Sequence, residues 1–263
     1  MLIDTHAHLM FDQFKGEVPE VLQRASAAGV TKIINVGCSV EASKEAFKQV
    51  EKFNHRYEIE LFAALGLHPY DASDLSDNLL DEWARMIEVA GGSEGGRIVA
   101  IGEIGLDYFK APVPHDIQKD AFRGQLQFAS QMKLPVIVHN READEDCLEI
   151  LSEFPDLKVV FHCYASSLEF AKRLWEKGYY TSFTGIITYP KSDELRQVVS
   201  ACPEGQFMIE TDCPYLAPQQ VRGERNEPAH VSYVAKMVAK LKGLTFEDAG
   251  KISSENANMF FGL

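Results

Sequence analysis

Eight short apolar runs recur along the chain, and each is followed by a stretch with helical periodicity. The runs cover residues 2–5, 32–37, 61–66, 98–102, 135–138, 158–161, 180–183 and 207–210. Several are apolar almost throughout, the pattern of parallel strands buried on both faces. The intervening stretches, 18–28, 41–53, 79–90, 118–132, 144–154, 168–177 and 193–201, carry apolar residues at helical spacing, and 231–241 and 246–260 follow the last run. Gly29 and Gly178 stand where helices should end, ahead of the second and seventh runs. Eight strand–helix alternations predict an α/β fold, a (β/α)8 TIM barrel. A chain of 263 residues suits one such domain over 1–263, and a hydrophobic content of 46% is enough for its core. No Pro/Gly/Ser-rich linker divides it. The GGSEGG patch at 91–96 reads as a flexible helix-to-strand loop, and 108–115 and 214–228 read as longer loops after strands.

Ligand-type side chains interrupt or end these runs. His6 and His8 stand in IDTHAHL, Glu103 in VAIGEIGLD, His139 in PVIVHNR, His162 in VVFHCY and Asp212 in FMIETDCPY. Barrel enzymes carry their active groups at the C-terminal ends of strands, where these residues fall. Residues i and i+2 of a strand point the same way, so His6 and His8 can face one centre with Cα atoms about 7 Å apart. An HxH pair alone is weak evidence. A single buried histidine is more often a hydrogen-bonded core residue, and a single acid can cap a helix or pair with a cation. Six such groups converging on one mouth are another matter, because buried carboxylates without a cation are strongly disfavoured. A metal site at the C-terminal mouth is the expectation. Imidazoles and carboxylates suit Mg2+, Mn2+ and Zn2+, so the ion is not specified.

The other histidines separate from this set. His55 lies in a charged connector and reads as solvated. His115 reads as exposed, and His230 as a surface or capping residue at a late helix. His68, in LGLHPY just past the third strand, lines the substrate pocket or belongs to its loop. Strand alternation should turn Cys163 and Cys213 away from the metals, and Cys38 reads as a small loop residue.

The net charge of −13 excludes a diffuse basic coat for gripping long duplex. A polyanionic substrate must be held locally, which suits a strand end or a short single strand. Five cysteines, an odd number without CxxC spacing, indicate reduced thiols and a cytoplasmic location. The N-terminus does not read as a signal peptide, and no run of 18 apolar residues predicts a membrane span. Nothing in the chain calls for an obligate protein partner.

THAH, GLHP, GEIGLDY, PVIVHNR, VVFHCY, ETDCPYLAP and RGERNEP occur in order along nearly the whole chain. In this the sequence resembles the TatD-like metal-dependent deoxyribonucleases of the amidohydrolase-type TIM-barrel superfamily. The resemblance implies two divalent ions. His6, His8 and Asp212 would bind one, His139 and His162 the other, and Glu103 would bridge them. Many superfamily relatives bridge with a carbamylated lysine, whose place Glu103 takes. A 3′–5′ exodeoxyribonuclease acting on single-stranded DNA, and on RNA as a further substrate, is implied. Two such ions can clamp the attacking and leaving oxygens of a phosphodiester and lower the pKa of water. Asp212 is the candidate base, with Glu103 beside it in the catalytic pair. Glu210 either orients a histidine ligand or is an interior acid paired with a cation.

For the substrate, Arg222, Arg225 and Asn226 of RGERNEP are the first candidates, with Arg141 just past His139. On charge alone, Arg222 or Arg225 would pair with Glu224 or Glu227 inside that loop; the resemblance favours phosphate contact. Tyr108 and Tyr164 are candidates for stacking on a base. Two other readings stay open. The same site could hydrolyse another ester or amide, as in a D-aminoacyl-tRNA deacylase, or the barrel could be a non-catalytic metal-binding partner protein.

Overall fold

In a computed structural model the apolar runs form one sheet of eight parallel strands in sequential order. They are β1 (Leu2–Ala7), β2 (Val30–Val36), β3 (Glu60–Leu65), β4 (Ile98–Asp107), β5 (Val136–Arg141), β6 (Val159–Phe161), β7 (Tyr180–Phe183) and β8 (Phe207–Ile209). The structure describes residues 1–54, 56–91 and 96–263. The expectations for His55 and for the middle of the 91–96 loop lie outside the described residues. Between the strands run α1 (Val18–Ala27), α2 (Val40–Phe53), α3 (Asp77–Val89), α4 (His115–Met132), α5 (Asp144–Ser152), α6 (Leu168–Glu176) and α7 (Asp193–Ala201). Helices α8 (Val231–Lys242) and α9 (Phe246–Phe261) follow β8. Ser39, Ser76, Ser167 and Thr245 cap α2, α3, α6 and α9 by accepting a backbone N–H with the side-chain oxygen.

The sheet closes between its first and last strands. Ala7 bridges Cys213 in parallel. Asp212 N donates to His6 O, and His8 N to Cys213 O, both at 2.9 Å. This is a (β/α)8 barrel, and the seam that closes it carries three of the six ligand-type residues.

Two apolar layers and one polar layer fill it. Outside the sheet, Ile33, Leu61 and Ile98 pack with Trp83, Phe122 and Leu174 of the helices. Inside, at the N-terminal end of the strands, Ile3, Ile34, Phe62, Ile137, Val160 and Met208 form a floor with Phe260 and Phe261 of α9. Above the floor the interior turns polar: Thr5 Oγ1 lies 3.3 Å from both Ser182 Oγ and Glu210 Oε2. The ligand-type residues stand on top.

Strand β4 is longer than its apolar run. The run was expected to end at Gly102, but the strand continues to Asp107, pairing Gly105 with His139 and Asp107 with Arg141. Gly105 permits this. Its φ is +143°, and a Cβ there would stand 2.0 Å from the His139 carbonyl oxygen. Glu103 therefore lies within a strand rather than past one, pressed against β5. Strands β1 and β5 likewise extend through His6 and His139. No helix among the described residues is long and apolar enough to cross a membrane.

Candidate metal centre

Four imidazoles and two carboxylates meet at the C-terminal mouth. Glu103 is the hub, and its two oxygens face different groups. Oε1 lies 2.8 Å from His139 Nδ1 and 2.8 Å from His162 Nε2. Oε2 lies 3.5 Å from His6 Nε2 and 3.8 Å from His8 Nε2. Asp212 Oδ1 stands on the seam side, 3.4 Å from His8 Nε2 and 3.8 Å from His6 Nε2. His6 stacks on His162 with ring centroids 4.1 Å apart. All of these except His139 and Asp212 are fully buried.

Outer partners lie against the far nitrogens of three of the rings and hydrogen-bond two of them. His8 Nδ1 is 2.7 Å from Val36 O, a carbonyl that can only accept, so the proton sits on Nδ1 and the Nε2 lone pair points into the cluster. His162 Nδ1 faces Glu210 Oε1 at 3.5 Å, leaving Nε2 for the centre. His139 Nε2 faces Asp107 Oδ2 at 3.3 Å, leaving Nδ1 inward. The inward nitrogens then crowd one another, His6 Nε2 with His8 Nε2 at 3.2 Å and His162 Nε2 with His139 Nδ1 at 3.4 Å. Lone pairs and carboxylate oxygens aimed at one another need a cation between them, so the residues present fit divalent metal.

The electrostatics of the cluster agree. Burial alone would raise the Glu103 pKa, but the charge on His162 and hydrogen bonds from the rings outweigh it and hold it well below the ordinary range. Burial opposes charge on His162, His8 and His139, yet Glu103 and Glu210, Asp212, and Asp107 with Glu103 respectively raise all three. Asp212 is lowered against its burial, by the His8 hydrogen bond and the His6 charge. His6 is lowered by burial and by His162. These carboxylates make the cluster a place that favours positive charge.

The backbone at Asp212 is bent to serve the site. Its φ is +56°, a left-handed conformation costing a non-glycine residue about 1 kcal/mol or more. Buried Asp4 holds this turn: its carboxyl accepts from Thr211 N at 2.9 Å and from Thr211 Oγ1 at 2.6 Å. Burial pushes the Asp4 pKa up to about 8. Glu210 does a similar service on β6, accepting from Cys163 N at 2.6 Å beside His162. Of the two readings of Glu210, orientation of a histidine is the one its contacts support.

A cavity of about 590 Å³ opens over the cluster, and His68, Arg141 and two of the three seam residues, His8 and Asp212, line it. His68 Nε2 is 3.6 Å from Glu103 Oε1, and its Nδ1 accepts from Tyr70 N at 3.2 Å. Burial lowers its pKa to about 4, so it is a neutral ring with its N–H turned inward.

Other candidates lie elsewhere. Tyr108 donates to Asp146 at 2.6 Å and stacks on His115 at 3.7 Å, away from the cavity lining. Tyr164 is buried and donates to Ser167 O at 2.6 Å. Tyr164 is buried away from any base, and Tyr108 lies outside the cavity lining. Arg225 is not a cavity residue: it pairs with Glu17 at 2.8 Å, donates to Gln13 O and covers the Phe14 ring. Asn226 is fully buried and donates to Thr211 O at 2.9 Å and Tyr215 O at 2.7 Å, fastening the loop after β8. Glu227 pairs with Arg24 on α1 at 2.7 Å. The ion pairs that charge alone would favour within RGERNEP do not form among the described residues; Arg225 and Glu227 reach Glu17 and Arg24 near the start of the chain instead. Arg222 is exposed over the Tyr189 ring at 4.0 Å. Neither Arg222 nor Arg141 pairs with a carboxylate among the described residues.

Cys163 corrects the alternation argument. Its φ of +44° breaks the strand, and it lines the cavity instead of turning away. Cys38 lines it too, whereas Cys213 is buried in the outer core as expected. Asp107 was overlooked because the apolar run stops at Gly102. It is buried, accepts from Phe109 N and Lys110 N, and its pKa falls to about 2 as hydrogen bonds from His139 and these amides overcome burial. The signal that could have found it is period 2 continued from Glu103, through Gly105.

Comparison with known proteins places the chain. The family model described as TatD related DNase matches residues 3–262. The uncharacterized metal-dependent hydrolase YabD of Bacillus subtilis is 40% identical over 263 residues, covering 99% of each chain. The protein named 3′-5′ ssDNA/RNA exonuclease TatD of Cronobacter sakazakii is 32% identical over 252 residues, covering 92% of this chain and 90% of its own. The crystal structure of YjjV, a TatD homologue from Escherichia coli, superposes with a TM-score of 0.89 at 31% identity, over 100% of this chain and 98% of that one. With the ligand cluster at the barrel mouth, these matches make the chain a metal-dependent hydrolase of the TatD-related DNase family.

Proposed function

We propose that the chain is a 3′–5′ exonuclease that hydrolyses phosphodiester bonds at single-stranded DNA or RNA ends, using two divalent ions. The observation that carries the two-ion reading is the division of Glu103, one oxygen to His6 and His8 and the other to His139 and His162. His6, His8 and Asp212 would hold one ion, His139 and His162 the second, with Glu103 shared. Such ions supply Lewis acidity at the phosphoryl oxygens and a more acidic water.

The remaining work falls to the chain. Asp212 stands at the cavity edge with a depressed pKa, ionised and able to take the proton of the attacking water. His68, neutral, can donate its Nε2–H to a substrate oxygen. Arg141 and Arg222 are the cations for the flanking phosphates, and Arg gives them bidentate contacts. The net charge of −13 supports short strand ends over long duplex. The name of the Cronobacter relative supports the bond and the polarity.

Product mapping tests this. Protein stripped and reloaded with Mg2+, Mn2+ or Zn2+, with bound metal counted, should shorten a 5′-labelled single strand stepwise from its 3′ end. Turnover of D-aminoacyl-tRNA with an intact oligonucleotide would replace the nuclease reading by a deacylase. A chain that binds metal and turns over neither would be a binding protein.

A further inference from the structure

The mouth carries exposed aromatic rings on opposite walls. Tyr215, after β8, is 51% exposed; Tyr70, after β3, is 39% exposed; Phe109, after β4, is 51% exposed. Phe11, after β1, lies flat on the His8 ring, with centroids 4.7 Å apart and planes at 6°, and it stands 6.0 Å from Tyr215. Across the barrel, Tyr70 meets His68 edge-on at 4.7 Å, and the Arg141 guanidinium lies 4.2 Å over Phe109. In a ring of eight strands β4 is diametrically opposite β8. Phe11, Tyr70, Arg141 and Tyr215 line the cavity itself, and Phe109 joins them through Arg141.

Large apolar rings left in water at two sides of one cavity mark a binding surface. We propose that these two walls stack on the unpaired nucleobases flanking the scissile phosphodiester, and that the stacking is what selects single-stranded ends. The proposal rests on the nuclease reading above. Three features favour nucleobases. The rings flank a cluster suited to phosphoryl chemistry. Arg141 offers both a planar face and a charge for the adjoining phosphate. The acidic chain lacks a diffuse electrostatic grip, so a contact that salt does not screen adds affinity beyond the few local cations. Paired bases inside a duplex already stack on one another and offer no free face short of the terminal pair.

The test compares two substrates on the metal-loaded full chain. One is a natural single-stranded oligonucleotide; the other carries abasic tetrahydrofuran residues at its last two 3′ positions. The natural strand should have the lower KM, by about tenfold per stacked base. Tyr215→Ala and Phe109→Ala should each shrink that advantage, while Tyr215→Phe and Phe109→Tyr should retain it. Equal KM for the two strands with wild-type protein would overturn the proposal while leaving the nuclease reading intact. So would alanine variants that raise both KM values alike. Cleavage of neither strand would remove the nuclease reading and this proposal with it.

Discussion

At the floor of the barrel Ile3, Phe62, Ile137 and Met208 face one another, and Phe260 of α9 closes the space beneath them. One layer of Thr5, Ser182 and Glu210 higher, strands of the same sheet present His6, Glu103 and His139, with Asp212 just beyond β8. The floor gains free energy by leaving water. The mouth loses it, because rings and carboxylates are desolvated, nitrogens point at nitrogens, and Asp212 sits at positive φ. One end holds the barrel together and the other puts that stability to use in metal-dependent hydrolysis. Changes at the two ends should therefore separate cleanly into effects on activity and effects on folding.

The largest effect belongs at the mouth. Chelation should abolish hydrolysis, and Asp212→Asn in the reloaded protein should lower kcat by about 10²- to 10⁴-fold with an unchanged melting curve. A comparable loss of melting temperature would mean that the mouth also holds the fold. The floor should answer in the opposite way. Phe260→Ala should cost about 3–5 kcal/mol in denaturant unfolding, yet leave kcat of the folded fraction at the wild-type value. A fall in kcat would show the two ends to be coupled through Thr5 and Glu210.

Asp107 sharpens the comparison from the outer side of the site. Asp107→Ala should weaken metal binding by about 10- to 100-fold, since His139 loses the acceptor that turns its Nδ1 inward. Unchanged affinity by calorimetry would leave Asp107 a loop-capping residue. Protonation gives a fourth test. The carboxylates around His8, His139 and His162 raise their pKa values, so protons compete with metal for the ring nitrogens. Affinity should therefore rise with pH. Titration in buffers of different ionisation enthalpy should show proton release on loading; none released would mean the rings are already neutral. The smallest effect is expected at Arg225. Its partner Glu17 is 55% exposed, so Arg225→Ala should lower the melting temperature only slightly and leave KM for oligonucleotides unchanged. A large KM increase would return it to the substrate site.

These expectations also mark what the sequence made legible. The eight strands and the six ligand-type residues could be read because each polar residue breaks an apolar run, and burying it there needs a chemical reason. The limits came where geometry departs from a regular period. Asp107 was hidden by a glycine that prolongs β4, and Cys163 by a left-handed residue that reverses its direction. Tyr108 and Phe109 are neighbours, and only the turn after β4 decides that the first binds Asp146 while the second faces solvent. Arg225 and Glu17 pair across 208 positions of sequence, a distance over which local charge patterns carry no information.

The seam between β1 and β8 has a consequence for biosynthesis. A ribosome delivers His6 and His8 early and Asp212 some two hundred residues later, with strands β2 to β7 made in between. A growing chain thus displays two imidazoles long before the carboxylate that comes to lie beside them. Only when the last strand docks against the first do the three meet, so the mouth takes shape at the end of synthesis, together with the closed cylinder.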